Sequence, residues 1–552
     1  MGKTTLWLWR HPGHLLWILA AYLPFLWHIL VPFTGDQKTY IAIAMEMREQ
    51  GEWLQPLLFG DPNYLKPPFQ YWMTLLGWKV FGFGVFGTYI PSVLALVGIS
   101  WLLNEIASLL GERRWYVNSG LWFAGTAGAM TYGLSAQMDI YVCLFYTASW
   151  WAGLRFLASG DLLTGADRDH RWLYAAFVIA GLSSLVKSPL YSVLWVFGYG
   201  IYLIISGEWL LFKNRHLYLA WIAGTIAGLL WFGALFLRDG EAFWNQYFLR
   251  EQITKGSNGG TLGDLWLPLF YMAAPMTLLL VTAIRSAWMG RRTAGILRFF
   301  VSWCLPPALF FSIFPYRTSL YLFILVPALA VVVDWGCFRA NRTRTFLLLS
   351  RATGFILAAA LALMGLLLHR LEFIPPYHFL ALVFCGLASA LTLWFGWVRL
   401  FTFAALVTVL FVRMASVEIA RPDREGLIEA MGPVAPSQGA MLDEGRDIWH
   451  EIGLLSISVG APMRRLFDYD DVVEQLANGG AVLLSENQAM NYRATLDRVF
   501  EEQGKKLRWV PWKRFKRRKA MPIKQVLLAG RSAVPEFDDS LYREFSVVSV
   551  AP

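Results

Sequence analysis

Apolar runs of roughly 18 to 22 residues recur along the first three quarters of the chain. They predict membrane spans near 14–31, 82–110, 116–135, 140–158, 172–187, 189–207, 217–237, 265–284, 296–314, 319–337, 347–368, 378–396 and 400–415, about thirteen in all. The first run, Leu15 to Val31, has no small-residue cleavage site after it, so it reads as a span and not as a signal peptide. Beyond about Glu418 the pattern changes to mixed charge, with short β-like runs at Ala481–Leu484 and Lys524–Leu528 and helical patterns between them. The expected fold is a polytopic α-helical membrane protein over 1–415, with long outer loops at 32–81 and 238–264, followed by a small α/β domain over 416–552.

Within the first outer loop, Gln37 to Gln50 places Tyr40, Ile43, Ala44 and Met47 on one helical face, with Asp36 at the N-cap position and Gly51 as the stop. This predicts a short helix lying on the membrane surface.

Composition and charge sharpen the picture. Hydrophobic residues make up 57% of the 552 positions and charged ones 16%, which fits a bundle of spans. Alternating the spans from an inner N-terminus puts Arg113, Arg114, Arg155, Arg168, Arg171, Lys213, Arg215, Arg291, Arg292 and Arg342 on the inside, in accord with the positive-inside rule. An odd span number then carries the tail to the outer, periplasmic face. The four cysteines lie in or beside apolar segments without metal-ligand spacing and read as packing residues. Gly82-Phe83-Gly84-Val85-Phe86-Gly87 matches the dinucleotide fingerprint by letter, yet no strand precedes it, and a flexible turn entering a span explains it better.

The same alternation gathers Asp36, Lys66, Asp139, Lys187, Glu251 and Arg317 at outer ends of spans or in outer loops. Charge at a membrane edge is costly without partners or a role, so their concentration on one side points to a shared site. Singly, each has a plainer reading. Asp36 and Asp139 would be helix caps, Lys187 and Arg317 would snorkel to lipid phosphates, and Glu251 would be a solvated charge.

These residues also carry a resemblance. Asp36 and Tyr40 precede Met47, Gly51 and Trp53, followed by Lys66-Pro67-Pro68 with Tyr71-Trp72. Met138-Asp139, Gly181-Leu182 with Leu185-Val186-Lys187-Ser188-Pro189, and the Phe311–Ala330 stretch with Arg317, Tyr321 and Pro327-Ala328-Leu329-Ala330 follow. In these motifs the chain resembles the polyprenyl-phosphate-dependent membrane glycosyltransferases of the GT-C fold. Within them it is similar to the aminoarabinose transferases of lipid A (ArnT), which share ancestry with protein O-mannosyltransferases. It departs from that pattern at Gln37, Leu65 and Gln252, where the family usually has an acid, a Glu and a His. The second and third positions are associated with a divalent metal in the family, so this chain is expected to use no metal or other cofactor.

The resemblance implies an inverting transfer of a sugar from a polyprenyl-phosphate donor to a lipid or glycan acceptor of the cell envelope, such as lipid A. Asp36, Asp139 and Glu251 are then the catalytic candidates, with Lys66, Lys187 and Arg317 holding the donor phosphate. A flippase for the same lipid-linked sugar and a protein O-glycosyltransferase are the alternatives. A flippase would place its charges near mid-membrane in repeated halves, and no internal repeat is visible. In the second outer loop, Phe243, Trp244, Tyr247 and Phe248 form an aromatic face suited to the interface, and Lys255–Gly260 is a polar stretch able to close over a head group. In the tail, Lys505 to Lys519 holds nine lysines and arginines with Trp509, Trp512 and Phe515. On an outer face such a run suits anionic lipid or a phosphorylated glycolipid and not nucleic acid, with a solvated basic face as the plainer reading.

Overall fold

The structure is a computed structural model, described here for residues 12–23, 36–58, 60–110, 118–160, 168–253, 260–277, 279–280, 283, 294–314, 317, 319–340, 344–370, 374–397, 400–402, 404–408, 411–412, 426–442, 455–457, 459–515 and 542–551. Six helices among them are long and apolar enough to cross a membrane, and large apolar side chains such as Leu237 and Phe355 stand exposed on their outer faces. The chain is a multi-pass membrane protein. The expected count of about thirteen spans also draws on 24–31, 116–117, 278, 281–282, 284, 403, 409–410 and 413–415, outside the described residues.

The chain runs from α1 (Pro12–Tyr22) to α2 (Asp36–Gln50), a two-stranded hairpin β1–β2 (Leu57–Leu58, Asp61–Pro62), α3 (Phe69–Phe81) and α4 (Val85–Leu110). The helix expected from Asp36 is present as α2, and all four residues of its predicted face are buried. Tyr40 packs edge-on against Tyr71 of α3 at 6.0 Å. A helix and not a strand leads into the glycine motif, which is the turn between α3 and α4, with Gly82 and Gly84 at positive φ. Gly87, one turn into α4, packs so close to Gly77 of α3 that a Cβ on either would overlap backbone.

Several expected spans are interrupted. The run 116–135 folds as two short helices, α5 (Ser119–Ala124) and α6 (Ala127–Gly133), and the Thr126 hydroxyl at the break accepts the Ala129 N–H at 3.1 Å. Next come α7 (Met138–Ser159), α8 (His170–Leu182), α9 (Leu190–Ile205) and α10 (Arg215–Asp239). The run 172–187 ends early, because α8 gives way to a 3₁₀ turn at Ser183–Leu185. Hydropathy averages over such breaks, since their polar backbone is satisfied inside the bundle.

The crossing of α8 with α10 explains two glycine clusters. A side chain at Gly224 would strike the Phe177 carbonyl, and one at Gly181 would strike Gly224 itself. Gly224 and Gly228 are spaced as in a small-xxx-small interface and let the two backbones touch. That contact fixes where α8 ends, and with it the segment that follows.

The helices α11 (Leu262–Met272), α12 (Ala294–Ile313), α13 (Val326–Ala340), α14 (Arg344–Arg370) and α15 (Pro376–Trp394) complete the described bundle. Asp334 of α13 is buried and accepts the Asn118 N–H at 2.9 Å and the Ser119 hydroxyl at 2.8 Å, capping α5.

The tail contains β3 (Gly439–Leu442), β4 (Arg464–Leu466), α16 (Tyr469–Ala477), β5 (Ala481–Ser485), α17 (Glu486–Glu502), β6 (Leu507–Phe515) and β7 (Tyr542–Val550). They form one sheet of order β4-β3-β5-β7-β6, parallel around β3 and antiparallel along β7. Alternate residues feed two cores: Met441, Leu483 and Val547 face Leu427 and Met431, while Leu442, Leu484 and Val548 face Leu476 and Phe500. The expected run Ala481–Leu484 is thus the central strand β5, whereas Lys524–Leu528 lies outside the described residues. The aromatic part of the basic run is corrected. Trp512 is buried against Phe545, and Trp509 donates its indole N–H to Asp497, so both serve the sheet and not a lipid surface.

The tail meets the bundle. Ile457 is buried in the same apolar core as the helices, and its carbonyl lies 3.7 Å from an ideal Cβ position on Gly84. Arg48 at the end of α2 lies over the ring of Phe83 in the same turn, at 5.0 Å. Helix α2, the glycine turn and the tail therefore meet one another.

Candidate active site

Lys187 leaves the 3₁₀ turn after α8 and reaches Asp139 in the first turn of α7, with Nζ 2.7 Å from Oδ1. The side chains are 12% and 6% exposed, so the lysine does not snorkel. The helix-cap reading of Asp139 yields to this ion pair between two helices. Two aromatic rings flank the ammonium, Tyr321 at 5.2 Å and Tyr191 at 6.0 Å from ring centre to nitrogen. Tyr321 is stacked on Phe311 at 4.6 Å, which ties the pair to α12.

Asp36 belongs to the same neighbourhood. Its carboxylate acts on Lys187 through space, together with Asp139 and Tyr321. Asp36 is exposed at the head of α2, while the next residue, Gln37, is 1% exposed. The Gln37 amide oxygen accepts the Ala136 N–H at 3.3 Å and faces the Tyr89 hydroxyl at 3.5 Å. Ala136 lies three residues before Asp139, so this amide holds the start of α2 against the start of α7. Position 37, where the family pattern has an acid, is here a neutral clamp between the two acidic residues.

Lys66 is half-buried in the turn before α3. Pro67 and Pro68 are buried, and Phe69 packs edge-on against Tyr141 and Phe145 of α7 at 5.5 and 5.1 Å. The Lys-Pro-Pro segment is thereby anchored on the helix that carries Asp139. Arg317 donates Nη1 to the Gly260 carbonyl and Nη2 to the Ser312 carbonyl, both at 3.0 Å. It straps the second outer loop to the end of α12, an arrangement the snorkelling reading does not describe. Glu251 lies in the wide-wound helix Trp244–Ile253, and its side chain is outside the described residues, as are residues 254–259 of the loop.

The second outer loop differs from expectation in one respect. Phe243 and Tyr247 are buried against Tyr64, Trp231 and Phe232 and do not face lipid, whereas Trp244 is exposed and stacked over Phe248. Aromatic content alone does not separate these two faces of one helix.

Of the two positions that the family pattern associates with a divalent cation, Leu65 is described and the side chain of Gln252 is not. Leu65 presents an apolar chain, and its N–H is taken by Asn63 Oδ1 at 3.0 Å. Among the described residues no three of His, Cys, Asp and Glu converge.

Comparison with known proteins narrows what such a site belongs to. Residues 65–231, which include Lys66, Asp139 and Lys187, match the family described as dolichyl-phosphate-mannose-protein mannosyltransferase. The whole chain superposes on the crystal structure of ArnT from Cupriavidus metallidurans bound to undecaprenyl phosphate, with a TM-score of 0.67, 15% identity and 99% of each chain covered. The chain has the ArnT fold. The apo form of that ArnT gives a TM-score of 0.66 at 17% identity, covering 88% of this chain and 95% of the other. In sequence the chain is similar to undecaprenyl phosphate-alpha-4-amino-4-deoxy-L-arabinose arabinosyl transferases. The relative from Pseudomonas aeruginosa is 30% identical over 323 residues, 54% of each chain. One from Pseudomonas fluorescens is 29% identical over 403 residues, 68% of each chain. The chain thus spans about half the length of the first of these ArnT relatives. The GT-C-type architecture and the ArnT and mannosyltransferase resemblance stand on these matches together.

Sequence reasoning missed Gln37 as a clamp and Tyr191 as a wall of the lysine site. Tyr191 stands four residues after Lys187, a spacing that puts an aromatic ring beside an ammonium at a helix start. That signal was available.

Proposed function

We infer that this protein is an inverting glycosyltransferase that moves a sugar from a polyprenyl-phosphate donor, undecaprenyl phosphate in a bacterial inner membrane, to a periplasmic envelope acceptor such as lipid A. The observation that carries the reading is the buried Lys187–Asp139 pair at 2.7 Å with Asp36 in electrostatic reach, on the fold of a protein that binds undecaprenyl phosphate.

The reaction needs negative charge stabilised on one side and an acceptor oriented on the other. An acceptor oxygen attacks the anomeric carbon, and the bond from that carbon to the phosphate oxygen breaks. The electron pair leaves with the lipid phosphate, and the configuration inverts without a covalent sugar intermediate. Lys187 and Lys66 meet the growing phosphate charge, with Asp139 aiming the Lys187 ammonium. Arg317 joins them if its loop contacts open when donor binds. Asp36 takes the proton of a hydroxyl acceptor. With a phosphate acceptor, already ionised near neutral pH, Asp36 only orients it. Glu251, on the outer loop, would act at the acceptor side.

The acceptor has a second reading. The family model matching residues 65–231 is described by protein mannosylation, which favours a protein acceptor as the alternative. Mass spectrometry of envelope lipids, glycans and proteins from cells with wild type, Asp36→Ala and no protein tests all of this. A one-sugar increment that appears with wild type alone identifies donor and acceptor together. Lipid-linked sugar accumulating on one membrane face without the protein, and no modified product in any strain, would instead make it a flippase.

A further inference from the structure

The membrane face opposite the lysine site carries a lipid-facing step with charge left over. Helix α8 leads from His170 toward Lys187, so its start marks the other end of the bundle. The start of α10 lies beside it, with the His170 and His216 rings 4.2 Å apart. At 25 residues, with about 1.5 Å of rise for each, α10 is long enough to join two membrane faces. Between α9 and α10 the chain turns through the 3₁₀ segment Trp209–Lys213, none of whose residues is buried. Trp209 is 56% exposed and Leu210 60%. Tyr218, exposed one turn into α10, donates its hydroxyl to the Phe212 carbonyl at 2.8 Å and ties the turn to the helix.

Four arginines and lysines flank these helix starts, and the chain treats them in two ways. Arg168 is paired with Glu208 at 2.8 Å, and Arg171 with Asp169 at 3.0 Å. Lys213 and Arg215 are exposed, and neither has a carboxylate partner among the described residues. The Lys213 ammonium lies over the Trp209 ring, 5.8 Å from its centre. The turn that holds both cations is itself fixed. The Asn214 side chain accepts the His216 N–H at 2.9 Å and meets His170 Nε2 at 3.2 Å.

The medium and the charge together say what covers this step. The chain is a multi-pass membrane protein, so exposed Trp209 and Leu210 meet lipid, and Trp and Tyr settle at the level of the head groups. A zwitterionic head group brings its own ammonium, which two unpaired cations repel. An anionic head group brings phosphate alone, which they attract. We propose that Trp209–Arg215 is a binding site for an anionic phospholipid such as phosphatidylglycerol, in the leaflet opposite the candidate active site. The lipid phosphate sits on Lys213 and Arg215, and the acyl chains run along Trp209 and Leu210. This assignment is independent of the transferase reading.

The test is native mass spectrometry of purified full-length protein in detergent, titrated with phosphatidylglycerol or phosphatidylcholine. Wild type should retain phosphatidylglycerol at least about tenfold more tightly, since each basic residue at an anionic head group is worth about fivefold. Lys213→Gln with Arg215→Gln should abolish that preference while binding phosphatidylcholine as before, and each single variant should lose about fivefold. Both side chains are exposed and unpaired, so the melting temperature in lipid-free detergent should not move. Arg464→Gln with Arg498→Gln removes the same charge from exposed tail positions and should keep the preference. A double variant at 213 and 215 that still prefers phosphatidylglycerol overturns the site, as does a wild type that does not discriminate. An equal loss in the tail variant also overturns it, because net charge and not this step would then select the lipid.

Discussion

Two ion pairs stand at opposite ends of α8. At its start, Asp169 accepts two hydrogen bonds from the Arg171 guanidinium at 3.0 Å and one from the Arg171 N–H at 3.1 Å. The arginine side chain is 91% exposed. Beyond its end, Lys187 meets Asp139 from a different helix, 48 residues away in sequence, with both side chains buried. The first pair is local, screened by water and worth little, and it serves as a helix cap. The second draws two charges out of water, a cost that stability alone rarely returns. Burial and sequence separation, not distance, therefore distinguish a pair that closes a turn from one that joins distant segments inside the bundle.

The sharpest way to break this comparison is to remove one member of the buried pair. Lys187→Met should leave Asp139 an unpaired buried charge, lower stability by about 3–5 kcal/mol and cut sugar transfer at least about a hundredfold. Asp139→Leu combined with Lys187→Met should recover the melting temperature but not transfer. Recovery of transfer in the double variant would make the pair structural, like its exposed counterpart.

Asp36→Asn separates chemistry from folding more cleanly, because the residue is exposed. Its melting temperature should match wild type, while transfer to a hydroxyl acceptor falls by about 10²–10⁴. Unchanged transfer would reduce Asp36 to a helix start.

A smaller effect is expected from the crossing that mounts Lys187. Gly224→Val should cost about 1–3 kcal/mol by overpacking against Phe177 and raise the donor KM, as α8 shifts and carries the lysine with it. Gly233→Ala on the same helix, where an added Cβ meets nothing within 4 Å, should change neither.

The smallest effect belongs to the exposed pair. The hydrogen bond from the Arg171 guanidinium holds the Asp169 carboxyl below its usual range. A depressed carboxyl stabilises the fold above its ordinary pKa, and that contribution is lost as pH falls through the lowered value. Asp169→Ala should leave transfer intact and lower the melting temperature barely, with the difference from wild type vanishing in acid melts.

Much of this was legible in the sequence, for identifiable reasons. The spacing of Tyr40, Ile43, Ala44 and Met47 defined α2, and the apolar run at Ala481 defined the central strand of the tail. Charge at span ends singled out Asp139 and Lys187, because membranes make such residues conspicuous. Other features depend on contacts that no local pattern encodes. The cluster of Tyr64, Trp231 and Phe243 needs three distant segments, Trp512 looked like part of a basic surface until its strand supplied an inward side, and breaks such as Gly125-Thr126 disappear inside a hydropathy window.

The glycine crossing bears on how such a protein can diversify. Lys187 is mounted on two backbones already in contact, so no smaller side chain is available at Gly181 or Gly224, and any larger one moves the whole helix end. The cation cannot be adjusted in small evolutionary steps. If Lys187 holds the donor phosphate as proposed, new specificities would have to arise in the outer loops and not at the cation.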